Sequence, residues 1–332
     1  MRPSVIHSRP VRRRRRLPPT GRDEQAGAVT PPSGQQVELR HDAQRATVVE
    51  VGGGLRTYQV DGVDVLDGYA EDKMCNGGRG QVLIPWPNRI EDGRYELGGR
   101  RYQLALTEPA TGHAIHGLVR WSPWRLEQPS AGHAVGSWVL HPRPGYPFRL
   151  DCTVGYRLDD AGLAVTMAVV NRSDRDAPVG LGAHPYLSAG PGLVDEVRLE
   201  VPASTRLVAD DRSIPRGREP VDGGPYDFRR GRPVGGTVLD AAYTDLVREP
   251  DGIARVRLSR VDGAEVVLWA DGAWTHLQVF SGETLPEPQR RRSLAVEPMT
   301  CPPNAFGSGD GLRLLAPGET LTGTWGIAAT LS

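Results

Sequence analysis

The sequence predicts an all-β protein built as a large antiparallel β-sandwich, and three observations carry that expectation. Apolar residues recur with a period of two, as in Leu163-Ala-Val-Thr-Met-Ala-Val169 and Glu265-Val-Val-Leu-Trp269, which puts alternate side chains on one face of a strand. Short Gly-containing turns separate these runs. Gly (41) and Pro (29) are abundant among the 332 residues, whereas no apolar stripe of helical period with a cap is visible.

Taken in order, residues 1–38 read as a disordered Arg- and Pro-rich extension, and residues 39–332 as a single β-sandwich catalytic domain without an internal linker. Strands are expected at Thr47–Val51, Tyr58–Val65, Tyr95–Leu97, Tyr102–Leu106, Leu163–Val169, Val256–Leu258 and Glu265–Trp269. The turns Asp61-Gly62, Gly98-Gly99, Asp251-Gly252, Asp262-Gly263 and Asp271-Gly272 suit hairpins because they accept positive φ.

Charge balances at 40 basic against 40 acidic residues, yet nine Arg in residues 1–40, five of them at 12–16, make the head basic and the body acidic. That run reads as a solvated tail, and the body lacks the basic-aromatic interleaving of a nucleic-acid surface. No apolar run approaches a membrane span, since the longest, Leu163–Val170, has eight residues. No apolar segment follows the Arg run, so a soluble cytoplasmic protein is expected. Three scattered cysteines argue against a disulfide framework or a Cys-only metal site, and Lys73 is the single lysine available for a Schiff base.

Walker, G-x-G-x-x-G, H-E-x-x-H, C-x-x-C and G-x-S-x-G patterns are all missing. What stands out instead are side chains set among Gly and Pro, where loops display functional groups. His113-Ala-Ile-His116-Gly117 and Gly182-Ala-His184-Pro185-Tyr186 each present a histidine in this way. Zinc on His113 and His116 is disfavoured, because positions three apart on a strand-like loop point to opposite faces and no third ligand is evident. Glu297 ends the apolar strand Leu294-Ala-Val-Glu297, where desolvation raises a carboxyl pKa toward a base's working range; an Arg partner is its structural alternative. Trp86, Asn88 and Arg89 lie in Pro85-Trp86-Pro87-Asn88-Arg89, with an indole able to stack on a sugar and a guanidinium able to bind hydroxyls. Asp240 offers an acceptor for paired hydroxyls.

The ordered set Asn88-Arg89-Ile90, Ile115-His116-Gly117, His184-Pro185-Tyr186, Asp240 and Glu297 with Pro303-Asn304-Ala305 resembles the aldose 1-epimerase (galactose mutarotase) family over residues 40–330. That resemblance implies a supersandwich fold, no cofactor, a monosaccharide as partner, and a monomer or homodimer. It implies that His184 is the general acid to the ring oxygen, Glu297 the general base to the anomeric hydroxyl, and His116 a second histidine near the ring oxygen. Arg89 and Asp240 then orient the substrate. Ile115-His116-Gly117-Leu118 departs from the family's Leu-His-Gly-Gly, a difference that bears on substrate preference. A hexose-6-phosphate relative would need an Arg cluster such as Arg89 with Arg120; a silent carbohydrate-binding protein is the non-enzymatic alternative.

Ring opening of a hemiacetal needs a base on the anomeric O–H and an acid on the ring oxygen, each contributing roughly 10²–10⁴-fold. The expectation is that His184 and Glu297 stand on opposite sides of the C1–O5 bond, across a gap the width of one pyranose.

Overall fold

The computed structural model describes residues 30–331. The chain from residue 31 onward forms one compact body. Most of the Arg-rich head lies outside the described residues, but the body starts before the boundary at 39. Gln36–His41 is already a strand paired with Gln44–Val49, and Val37 and Leu39 are buried in the core. Their alternation with Glu38 and Arg40 supplies the apolar face that the head lacks.

Two large antiparallel sheets dominate. The nine-stranded sheet runs in the order Arg125–Ser130, His133–Leu140, Leu150–Asp159, Gly162–Asn171, Thr320–Thr330, Glu265–Ala270, Ala254–Ser259, Arg198–Glu200 and Arg232–Pro233. Its long central pair, Leu150–Asp159 with Gly162–Asn171, alternates buried and outward residues along ten positions. Each buried Val or Leu there contributes roughly 1.5–3 kcal/mol.

The eight-stranded sheet carries Pro215–Pro220, Ala203–Ala209, Asp240–Leu246, His276–Phe280, Ser293–Met299, Gly182–Ala183 and Val82–Leu83 in that order, with Tyr186–Ser188 also on Ser293–Met299. Ser293–Met299 is buried at every position, as expected of a strand covered on both faces.

Turn chemistry follows the sequence in part, since Asp251-Gly252 and Asp271-Gly272 connect strands of different sheets instead of closing hairpins, and Gly272 does not take positive φ. Asp61-Gly62 and Gly98-Gly99 all take positive φ, the geometry of two-residue hairpins. Among the described residues the only α-helix is the four-residue segment Ala305–Ser308, and no helix is long and apolar enough to cross a membrane.

Candidate active site

The strand pair that builds the site is visible in its register. Gly182 pairs with Met299 and Tyr186 with Ala295, so His184 falls opposite Glu297. On the other flank of the same strand, Gln278 pairs with Glu297. Cross-strand neighbours stand about 4.5–5.5 Å apart at Cβ, which is how two residues remote in sequence come into contact. Pro185 interrupts the ladder between the strands Gly182–Ala183 and Tyr186–Ser188 and frees His184 to turn its ring inward.

Nε2 of His184 lies 3.3 Å from Oε1 of Glu297, with both side chains almost fully buried. The two groups expected to act as acid and base are therefore in contact and not separated by the width of a sugar ring. The physical reason is the register, since strands paired at Gly182 with Met299 and at Tyr186 with Ala295 set His184 directly across from Glu297.

His116 completes the cluster, its ring 5.2 Å from that of His184 at a steep angle. It follows the short strand Ala114–Ile115, paired with Arg89–Ile90, and adopts φ 61°, with Gly117 next at φ 72°. Its N–H donates to the Asn88 carbonyl at 2.8 Å. Gly117 is required there, because a Cβ would sit 2.1 Å from the Ile84 carbonyl oxygen. A left-handed non-glycine residue costs of order 1–3 kcal/mol.

Burial dominates the electrostatics. Desolvation lifts the Glu297 carboxyl well above the ordinary carboxylate range, with the nearby Asp240 charge adding to it and Arg89 opposing. Desolvation also lowers His184, to about 3, and the Arg79 and Arg120 charges push the same way. His116 is lowered well below its usual value by desolvation, then by the His184, Arg120 and Arg89 charges. Nδ1 of both histidines and Oε2 of Glu297 are buried without a hydrogen-bond partner among the described residues.

These groups line a cleft of about 160 Å³ with Asn88, Arg89, Tyr186, Asp240, Gln278 and Phe280. Larger hollows exist elsewhere, such as one of about 590 Å³ beside Tyr102 and Phe148, yet the cleft alone unites two imidazoles and a buried carboxylate among the described hollows. Asp240 is held by Gln278, whose amide donates to Oδ1 at 2.5 Å. Arg89 donates twice to Glu108, through Nε at 2.7 Å and Nη2 at 2.8 Å, and Thr111 also donates to Glu108. Asn88 uses its carboxamide oxygen on the Arg89 N–H, and Asn304 clamps the same segment by donating to the Arg89 carbonyl and accepting from Glu91.

Trp86 is not part of this surface. It is 2% exposed and packs against Phe306 at 5.5 Å, because the flanking Pro85 and Pro87 turn the indole into the core. Arg120 does not line the cleft either, its guanidinium standing over Trp121, so the two-arginine cluster does not face the site.

Sequence reasoning missed Glu108, Gln278 and Arg79. Gln278 left one sign, a polar residue between Leu277 and Val279 in a strand buried from His276 to Val279. Arg79 is buried, ion-paired with Asp67 at 2.9 Å, and lies 4.4 Å over the Tyr186 ring, which stacks at 5.0 Å on His184. Glu108 left no local sign.

Fold and cleft together define a class, that of galactose mutarotase-like supersandwiches. The chain is similar to the aldose epimerase homologue of Caenorhabditis elegans (TM-score 0.78, 16% identity, 90% of this chain and 99% of the other). It is also similar to galactose 1-epimerase of Lactobacillus acidophilus (TM-score 0.76, 18% identity, 90% and 94%). The aldose 1-epimerase family model matches residues 35–328, and the chain belongs to that family of isomerases. Relatives include the uncharacterized YihR of Escherichia coli K12, 36% identical over 86% of this chain and 91% of its own, and mouse galactose mutarotase, 26% identical over 59% and 60%.

Proposed function

We propose that the protein interconverts the α and β anomers of a free aldohexose by general acid/base ring opening and reclosure. The observation that carries this reading is the contact between His184 and Glu297 inside a cleft open to a small polar ligand. Glu297 takes the anomeric proton, His184 gives a proton to the ring oxygen, and C1–O5 breaks to leave the open-chain aldehyde. Rotation about C1–C2 and the reverse transfers close the other anomer. His116, its ring 5.2 Å from that of His184, is the second imidazole at the ring oxygen.

The empty cleft favours a neutral imidazole and a protonated carboxyl, because burial penalises both charges. That pair holds one proton. Moving it along the 3.3 Å contact yields the base and acid the reaction needs, with no exchange with solvent. Apparent pKa values in a rate profile then belong to the pair.

An uncharged aldose is supported by the pairing of Arg89 with Glu108, which leaves no free guanidinium pair for a phosphate. Asp240, with Oδ1 already taken by Gln278, offers Oδ2 to sugar hydroxyls. Polarimetry of fresh α-glucose or α-galactose tests the proposal. An accelerated approach to anomeric equilibrium with one of them supports it, and a rate at the buffer value with both rejects it.

A further inference from the structure

We propose that the same cleft is a site for a zinc-type dication, held by His116, His184 and Glu297, whose binding excludes the sugar. One nitrogen from each imidazole and one carboxylate oxygen lie within 4.8 Å of one another, and all three residues are buried. Zinc takes four ligands at roughly 2.0–2.2 Å in a tetrahedron, so neighbouring ligand atoms stand about 3.4 Å apart. Nε2 of His184 and Oε1 of Glu297 are 3.3 Å apart. One edge of the tetrahedron is thus already formed, and His116 has to close by at most roughly 1.4 Å to complete a face.

A third ligand was what the pair His113 and His116 lacked in the sequence. The fold supplies two, His184 from the break between Gly182–Ala183 and Tyr186–Ser188 and Glu297 from the strand Ser293–Met299. It removes His113 from consideration, since its Nδ1 accepts from the Asp92 N–H at 3.0 Å.

Independent of this geometry, Oε2 of Glu297, the second oxygen of the same carboxylate, is buried without a partner among the described residues. The cluster therefore holds unspent polar capacity in a region that water reaches poorly. Two nitrogens and one carboxylate suit Zn²⁺, Co²⁺ or Ni²⁺. Mg²⁺ and Ca²⁺ favour all-oxygen shells, which two imidazoles do not give.

The unpartnered Nδ1 of His184, the nitrogen turned away from Glu297, also limits the affinity. Metal-binding histidines usually donate their second nitrogen to a carboxylate or carbonyl, and losing that support costs about 10–100-fold. The ion is accordingly a reversible competitor and not a resident cofactor. It occupies the lone pairs that the acid and base use, so ion and aldose exclude each other.

A second group, His41, Asp42 and Asp160, also clusters but is exposed, and a His41→Ala chain removes it as a competing site. Zn²⁺ titrated into that chain against a chromophoric chelator should bind at one equivalent, and Co²⁺ should give the visible bands of a tetrahedral site. Glu297→Gln in the same background should weaken Zn²⁺ by at least about tenfold. Wild-type crystals soaked in Zn²⁺ should show anomalous density between the three side chains, a readout that needs no variant. Absence of binding once His41 is gone, unchanged affinity in Glu297→Gln, or density only at His41 would each overturn the proposal. Because these readouts are independent of turnover, they hold even if the protein fails to act on an aldose.

Discussion

His113 and His116 are both buried, three residues apart, and physically opposite. His113 is satisfied: its Nδ1 accepts from the Asp92 N–H and its Nε2 lies 3.2 Å from the Arg212 carbonyl. His116, with His184 and Glu297 beyond it, keeps buried polar atoms that nothing in the described chain satisfies. An unmade hydrogen bond costs about 1–3 kcal/mol, so a cluster of them persists where a ligand supplies the missing partners. Burial alone does not mark a functional group, and neither does one unpartnered atom such as Nε1 of Trp86; what sets the cleft apart is that three converging side chains share the unmet capacity.

Glu297→Gln should give the largest effect, a polarimetric rate lower by about 10²–10⁴-fold with KM within about tenfold. Its stability should move the other way. A raised folded pKa means that the carboxyl's contribution is fully present below the unfolded value and is lost as pH rises through the folded one. Wild type therefore carries a cost at alkaline pH that the amide lacks, and Tm of the variant should exceed that of wild type by roughly 2–4 °C near pH 8. A Tm that falls equally at every pH would break the contrast with His113.

The two histidines sharpen it further. His116→Ala should lower kcat by at least about tenfold with little change in Tm, whereas His113→Ala should lower stability by about 1–3 kcal/mol and leave kcat within roughly threefold. Reversed outcomes in denaturation and polarimetry would mean that hydrogen-bond satisfaction is the wrong criterion here.

Glu108→Gln removes the anionic half of a two-point anchor on Arg89, and KM should rise about tenfold with kcat within about threefold. The smallest effect on sugar handling belongs to Trp86→Phe, which should cost about 1–3 kcal/mol of stability through lost packing and leave KM unchanged. A shift in KM there would return the indole to the cleft.

Much of this was legible in the residues. The period of two and the Asp-Gly and Gly-Gly turns announced strands and hairpins because both are local: one reports which face is buried, the other which φ is needed. His184 was recognisable as a chemistry-bearing group because Pro185 marks where it leaves regular structure, and Glu297 because it is a carboxylate in an apolar run, although its strand continues through Pro298 to Met299 and does not end at Glu297. Glu108 was not, since a surface-type acid becomes an anchor only when the Arg89–Ile90 strand is laid beside it. Trp86 misled for the same reason, as the direction in which an indole points is set by what packs around it.

By itself, the sequence determined the all-β class, the hairpin turns and the residue types able to exchange protons with a sugar. Register decided the rest. The pairing of Gly182 with Met299 and Tyr186 with Ala295 brings His184 into contact with Glu297, and the surrounding core removes the water that would hold their pKa values at ordinary levels. Contact and desolvation are properties of strands that meet across long stretches of chain, and no local pattern encodes them.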